Sequence, residues 1–269
     1  MQGKFFSTFG LVFGLSFAYY LTSAKLAGRP VIWGTLRRLA ALGIFGTIHA
    51  LFYSADVLRA HAMLGVILLA LSFLPQWASR VAGALGIVLA APVSPAMGLA
   101  LVGYWFASSG RFARWSTDVA VLVKLAVPAL FVFVGAEIWG QLQPDEVMTS
   151  KMFSSVAGPI LYSTVILILW NYFPRVLQML YQPLGKLTLT HYLGATFLIT
   201  ATAAVFGFPQ GEGSWIMAIL LGVGIVVFQW IFSLIWLRFF TQGPLEWIWR
   251  SVTWLSMPPI LRSSTRESR

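Results

Sequence analysis

The feature that most constrains this chain is a series of long apolar segments separated by short loops that carry arginine and lysine. Several of these segments reach or approach the ~20 residues that an α-helix needs to cross a bilayer. Only 10% of the residues are charged and 58% are hydrophobic, whereas soluble domains carry about 25% charged residues. The sequence therefore predicts an all-α fold, a polytopic integral membrane helix bundle embedded in a lipid bilayer.

About nine membrane segments are predicted, and together they form a single membrane domain over residues 1–269. The N-terminal helices occupy 5–110, and a C-terminal region occupies 118–255. The approximate segments are 5–24, 38–55, 59–78, 77–92, 95–110, 118–140, 156–173, 187–206 and 215–237.

The basic residues predict the orientation of the bundle. Lys4 alone precedes the first segment, whereas Lys25, Arg29, Arg37 and Arg38 follow it, so the positive-inside rule places the N-terminus outside. The same rule places the C-terminus in the cytoplasm, and the membrane is expected to be the plasma membrane (the bacterial inner membrane). Loop positions and anionic headgroups explain the net charge of +10, so no nucleic-acid partner is expected.

Residues 77–110 are predicted to form a hairpin of two short helices. Arg80 and Arg111 flank most of this stretch, and the rule assigns both to the cytoplasmic side. Pro92 and Pro95 lie between them and break a helix there. A re-entrant hairpin is the alternative to two full crossings.

Arg38, His49 and Asp56 are spaced by about three and two helical turns, because a helix has ~3.6 residues per turn. The spacing predicts one polar stripe on one helix, with His49 near mid-membrane and Asp56 near the outer surface. Ionisable residues at that depth normally face a polar partner or a water-filled cavity. Two alternatives stay open: His49 could serve packing only, and Asp56 could be the N-cap of the next segment.

Other polar side chains extend the list of candidate ligands. Arg37 and Arg38 are either orientation anchors or ligands for anions. Arg59 and His61 add to the polar outer corner near Asp56. His191 is either a structural contact between helices or part of a site. The spacing of the three histidines fits no metal motif, so no metal site is predicted.

Two glycine motifs predict packing rather than chemistry. The GxxxG motif from Gly10 to Gly14 lies in an apolar segment and indicates close helix contact. Near the C-terminus, "GPLEWIWRSVTW" begins with Gly-Pro and predicts an interfacial amphipathic helix. Within it Glu246 and Arg250 are four residues apart and can pair.

Four stretches carry a family resemblance: "GKFFSTFGLVFGLSF", "RRLAALGIFGTIHALFYSADVL", "LGKLTLTHYL" and "RFFTQGPLEWIWRSVTW". In this order they resemble the YeiB-like membrane proteins, which carry a C-terminal domain of unknown function. The resemblance covers nearly all of the chain. It implies signature positions at His49, Asp56, Leu189, Thr190, Tyr192 and Gly243 through Arg250.

The resemblance extends distantly to transmembrane acyltransferases of the heparan-glucosaminide acetyltransferase type. It implies an acyltransferase that passes an acyl group from cytoplasmic acyl-CoA to an extracytoplasmic lipid, glycan or small molecule. His49 and Asp56 would be catalytic, with His49 as general base or transient acyl carrier. The expected substrate or cofactor ligands are Arg37, Arg38, Arg59, His61, His191, Glu246 and Arg250.

The alternative function is a membrane transporter or export component in which the same polar stripe lines a substrate path. The sequence specifies neither a homo-oligomer nor a partner subunit. Members of the family usually carry a further helix before "GKFFSTFG". This sequence does not include that helix, which raises the alternative that the chain alone is inactive. His61 and His191 also replace the tyrosine and asparagine expected there.

Overall fold

A computed structural model describes residues 2–53, 56–90, 92–207 and 214–262. These residues form α-helices and one short 3₁₀ helix, without a β-strand among them, which confirms the predicted all-α fold. The helices are α1 (Gln2–Leu26), α2 (Val31–Ala50), α3 (Leu58–Leu71), α4 (Gln76–Ala90), α5 (Pro95–Ser108), α6 (Arg111–Trp115), α7 (Val119–Leu142), α8 (Val147–Tyr172), α9 (Pro174–Lys186), α10 (Thr188–Phe206), α11 (Ser214–Phe239) and α12 (Pro244–Trp254).

Six of the described helices are long and apolar enough to cross a membrane. Together with the dominance of apolar helices, this makes the chain a multi-pass membrane protein, as predicted. The six candidate spans are Lys4–Leu26, Val31–Ala50, Val119–Leu142, Pro144–Tyr172, Thr188–Val205 and Trp215–Phe239.

The three remaining predicted segments coincide with shorter helices. α3 and α5 have 14 residues each and α4 has 15, so each is only ~21–23 Å long against a hydrocarbon core of ~30 Å. α5 begins at Pro95, and the Ser94 hydroxyl accepts a bond from the Met97 amide at 3.4 Å. The two helices of the predicted hairpin are therefore present, and whether they cross the membrane fully stays a prediction.

The helices fall into two units, and their boundaries do not test the predicted division at 5–110 and 118–255. The first unit comprises Met1–Gly43 and Val57–Pro174. Its core is apolar and is contributed by α1, α2, α3 and α5. The buried core residues are Phe17, Ala18, Leu21, Leu39, Leu68, Leu69 and Tyr104.

Glycines let α1 and α5 approach each other within the first unit. A Cβ atom at Gly10 or Gly14 would collide with the carbonyl oxygen of Ala96 or Ala100. Likewise, on α5, a Cβ atom at Gly103 would collide with the carbonyl oxygen of Leu11 on α1. The GxxxG motif thus serves close helix packing, as the sequence predicts.

The second unit comprises Ile44–Asp56 and Arg175–Arg269. It contains the last turns of α2 together with α9 to α12. The segment after α12 returns to the end of α11, where Arg262 donates its amide to the Phe239 carbonyl at 3.0 Å. The predicted helix in "GPLEWIWRSVTW" is confirmed as α12.

No helix is predicted between the segments 156–173 and 187–206. The structure has the 13-residue helix α9 there, from Pro174 to Lys186. Its apolar and polar residues segregate to opposite faces, and none of its residues is buried. Such a helix suits the membrane interface, where one face contacts lipid and the other contacts water.

Candidate functional site

His49 lies in the last turn of α2, because the helix ends at Ala50. The predicted single stripe is therefore wrong: Asp56 is not on α2 but follows the turn after it. Leu51, Phe52 and Tyr53 make that turn, with the Phe52 and Tyr53 amides donating to the His49 carbonyl. The N-cap residue of α3 is Val57, so Asp56 is not that cap either.

The turn nevertheless brings the two predicted catalytic residues together. His49 Nδ1 lies 2.8 Å from Asp56 Oδ1. Both side chains are withdrawn from solvent, with relative exposures of 1% and 0%. An ion pair or charge-assisted hydrogen bond of this kind is strong where water is excluded.

The other ring nitrogen of His49 faces a hydroxyl that sequence reasoning missed. Thr196 Oγ1, on α10, lies 2.8 Å from His49 Nε2. The Tyr192 ring lies one turn earlier on α10, with its centroid 5.0 Å from the imidazole centroid. Residues four apart share one face of a helix, so α10 presents the tyrosine and the threonine to His49 together.

The donor and acceptor roles of the two ring nitrogens of His49 depend on the protonation of the ring. When Asp56 is a carboxylate and the ring is neutral, Nδ1–H donates to Asp56, because a carboxylate only accepts hydrogen bonds. Nε2 is then the acceptor for the Thr196 hydroxyl. The result is a carboxylate–imidazole–hydroxyl relay made by Asp56, His49 and Thr196.

A second polar cluster joins α10 to α11. His191 Nε2 lies 2.6 Å from Ser233 Oγ, and the Gln229 side-chain amide donates to the His191 carbonyl at 2.8 Å. All three residues are buried. This geometry gives His191 a contact between helices, and its predicted role as a ligand stays a prediction.

A third cluster joins α12 to the first turn of α10. The Glu246 carboxylate accepts from the Thr190 amide at 2.9 Å and from the Thr190 hydroxyl at 2.5 Å. A carboxylate at a helix N-terminus is favoured by the helix dipole. Gly243 leaves room for this contact, since a Cβ atom there would lie 2.8 Å from Thr190 Oγ1.

The suggested pairing of Glu246 with Arg250 is not formed in the described part of the chain. An ion pair that is formed in that part joins Lys4 to Glu137. Arg250 is exposed. Glu246 takes a partner on another helix because the Thr190 amide is an unsatisfied donor at the start of α10.

The remaining predicted ligands belong to the first unit. The Arg38 guanidinium lies over the Tyr20 ring at 4.5 Å, Arg37 is half-buried and Arg59 is exposed. His61 is buried, with Nδ1 2.7 Å from the Val57 carbonyl oxygen. Its ring makes edge contacts with the rings of Phe6, Phe9 and Phe13.

The sequence also matches a described family. The model of the family described as "Protein of unknown function (DUF418)" matches residues 104–256. The chain belongs to the DUF418 family. This match includes α10 and α12, which hold Thr196 and Glu246.

Similarity to two uncharacterised bacterial proteins covers nearly the whole chain. An "Uncharacterized 39.9 kDa protein in amylase 3'region" of Bacillus acidopullulyticus is 27% identical over 97% of this chain and 83% of its own length. YxaH of Bacillus subtilis is 23% identical over 98% of this chain and 82% of its own length. YeiB of Escherichia coli is 34% identical over 30% of this chain and 21% of its own length. The predicted YeiB-like family is thereby confirmed, and no solved structure matches.

Proposed function

We propose that this DUF418 protein transfers an acyl group from acyl-CoA to a hydroxyl or amine acceptor across the membrane. The observation that carries the proposal is the buried chain from Asp56 through His49 to the hydroxyl of Thr196. In this proposal His49 is the general base, and Asp56 is the residue that orients it.

The geometry supports base catalysis at His49 Nε2. A hydroxyl is a poor nucleophile until a base within hydrogen-bond reach takes its proton, and His49 Nε2 lies 2.8 Å from the Thr196 hydroxyl oxygen. The proton that His49 takes up converts its ring to an imidazolium. The Asp56 carboxylate on Nδ1 stabilises that cation and holds the ring in one tautomer.

Burial supports transfer rather than hydrolysis. The His49 side chain is only 1% exposed, so water has little access to the base. An acyl group held beside a buried base reacts with the bound acceptor rather than with water.

The proposal is tested with the full chain in liposomes of bacterial polar lipid that contain glucosamine. Acetyl-CoA and palmitoyl-CoA, each radiolabelled in the acyl group, are supplied outside the liposomes. We expect release of free CoA thiol and transfer of label to lipid or to glucosamine with at least one donor.

Two outcomes would overturn the proposal. The first is that neither donor releases CoA above the rate of empty liposomes. The second is that labelled donor enters the liposomes with its thioester intact, which is the behaviour of a transporter. The His49→Ala variant, verified to insert by its elution as a single species, is expected to lose the release.

A further inference from the structure

The hydroxyl of Thr196 lies within hydrogen-bond distance of a side chain on another helix. In a membrane helix a threonine commonly satisfies its hydroxyl with the carbonyl four residues earlier. Thr202, on the same helix, does so with Leu198 at 2.7 Å, and Thr35 and Thr164 do so on α2 and α8. Thr196 Oγ1 instead lies 2.8 Å from His49 Nε2, so its hydroxyl can donate its proton to a neutral imidazole.

This arrangement matches the requirements of an activated nucleophile. Such a nucleophile needs a base within about 2.6–3.2 Å and a third group that orients the base. Thr196 has both, because His49 lies 2.8 Å away and Asp56 holds the other face of the imidazole at 2.8 Å. All three residues belong to the second unit.

We propose that Thr196 is the acyl carrier, forming a transient ester through its hydroxyl oxygen. This inference rests on the acyltransferase function proposed above. It assigns the covalent step to Thr196 and leaves His49 as a base that never carries the acyl group itself.

The first half-reaction takes acyl-CoA as the co-reactant. Thr196 Oγ1 attacks the thioester carbonyl while its proton passes to His49 Nε2. The carbon–sulfur bond then breaks, and the proton moves from Nε2 to the leaving sulfur, so CoA departs as the free thiol. An ester bond between Thr196 and the acyl group replaces the thioester.

The second half-reaction restores the enzyme. The acceptor hydroxyl or amine gives its proton to His49 Nε2 and attacks the ester carbonyl. The bond from the carbonyl carbon to Thr196 Oγ1 breaks, and the same proton returns from Nε2 to Oγ1. The acyl group leaves on the acceptor, and no oxidant or reductant is needed.

The proposal requires an ester that can be isolated before the acceptor is added. The full chain in detergent, without glucosamine or added lipid, is incubated with radiolabelled acetyl-CoA and palmitoyl-CoA, denatured and digested. We expect label on a peptide that contains Thr196, with a mass gain of one acyl group, and release of that label by alkaline hydroxylamine.

Substitutions separate the carrier from the base. Thr196→Val keeps the shape but removes the hydroxyl, and it should abolish the label and reduce acyl transfer by about 10³-fold or more. Thr196→Ser keeps a hydroxyl and should restore both. Thr202→Val removes a hydroxyl from the same helix and should leave both unchanged.

The results distinguish this inference from the function on which it rests. If Thr196→Val transfers acyl groups at the wild-type rate while His49→Gln does not, the acyl group passes directly to the acceptor and the carrier role is wrong. Label recovered on another residue also overturns it. If the wild-type protein neither becomes labelled nor releases CoA, the acyltransferase function itself is wrong.

Discussion

His49 Nε2 lies 2.8 Å from the Thr196 hydroxyl although 147 positions separate the two residues along the chain. This contact joins the last turn of α2 to α10. Asp56 contacts the opposite ring nitrogen. The buried pair of His49 and Asp56 therefore has the Thr196 hydroxyl beside it. The predictions below test that relay and the packing around it.

Replacing Asp56 with asparagine should remove the charge that orients His49 while keeping the size of the side chain. An amide can donate to Nδ1 and so favour the wrong tautomer, as in hydrolase triads where the same change lowers kcat by about 10⁴. We expect CoA release from acyl-CoA to fall by about 10²–10⁴-fold with the protein still folded. A variant that keeps wild-type turnover would show that Asp56 does not orient the base.

Glu246→Gln should destabilise the junction between α12 and α10. The change replaces the carboxylate that accepts hydrogen bonds from the Thr190 amide and hydroxyl with a neutral amide. We expect the free energy of unfolding to fall by about 1–2 kcal/mol. Arg250→Gln is the matched control, because Arg250 is exposed. Thermal unfolding in detergent, followed by size-exclusion chromatography, measures both. Equal losses in the two variants would instead indicate that Glu246 and Arg250 act as a pair.

Gly14→Ala should destabilise the contact between α1 and α5, because the added methyl group meets the Ala100 carbonyl oxygen. Overpacking of this kind typically costs about 1–3 kcal/mol. Gly135→Ala on α7 is the control, since a Cβ atom there would meet no described atom within 4 Å apart from its chain neighbours and the backbone of its own helix. The same unfolding assay should show a lower melting temperature for Gly14→Ala only. A tolerated alanine at Gly14 would contradict the close packing.

The predicted orientation can be tested at the two ends of α8. The chain contains no cysteine, so a single cysteine introduced at Asp145 or at Arg175 is labelled without background from other thiols of the protein. The positive-inside rule predicts that a membrane-impermeant maleimide labels Asp145→Cys in intact cells and labels Arg175→Cys only after lysis. Labelling of both in intact cells, or the reverse order, would show that the orientation is wrong.

The helices were predictable because the apolar runs and their basic boundaries are local signals. The end of α2 was not, because Leu51, Phe52 and Tyr53 continue the apolar run without a glycine or proline to mark a stop. The direct contact of His49 with Asp56 was not predicted, because the expected stripe placed the two residues about two helical turns apart. A turn, not a shared helix face, joins them.

Other contacts lay beyond sequence reasoning because they depend on which helices pack together. Nothing near Thr196 distinguishes it from Thr202 along the chain, and only the tertiary contact with His49 does so. Glu246 has a charge of opposite sign four residues away, so a local rule favours Arg250 over Thr190. The amphipathic pattern of α9 is present in its sequence. The basic residues at its ends, however, are equally typical of a cytoplasmic loop.

The central claim is that His49 moves a proton during acyl transfer, and His49→Gln tests it most directly. Glutamine is similar in size and forms hydrogen bonds, but it cannot exchange a proton near neutral pH. The rates of CoA release from acetyl-CoA and palmitoyl-CoA are measured side by side for the wild-type protein, His49→Gln and the control Thr202→Val. The account predicts a loss of about 10²–10⁴-fold in His49→Gln and none in Thr202→Val. Equal rates in wild-type and His49→Gln protein would contradict it.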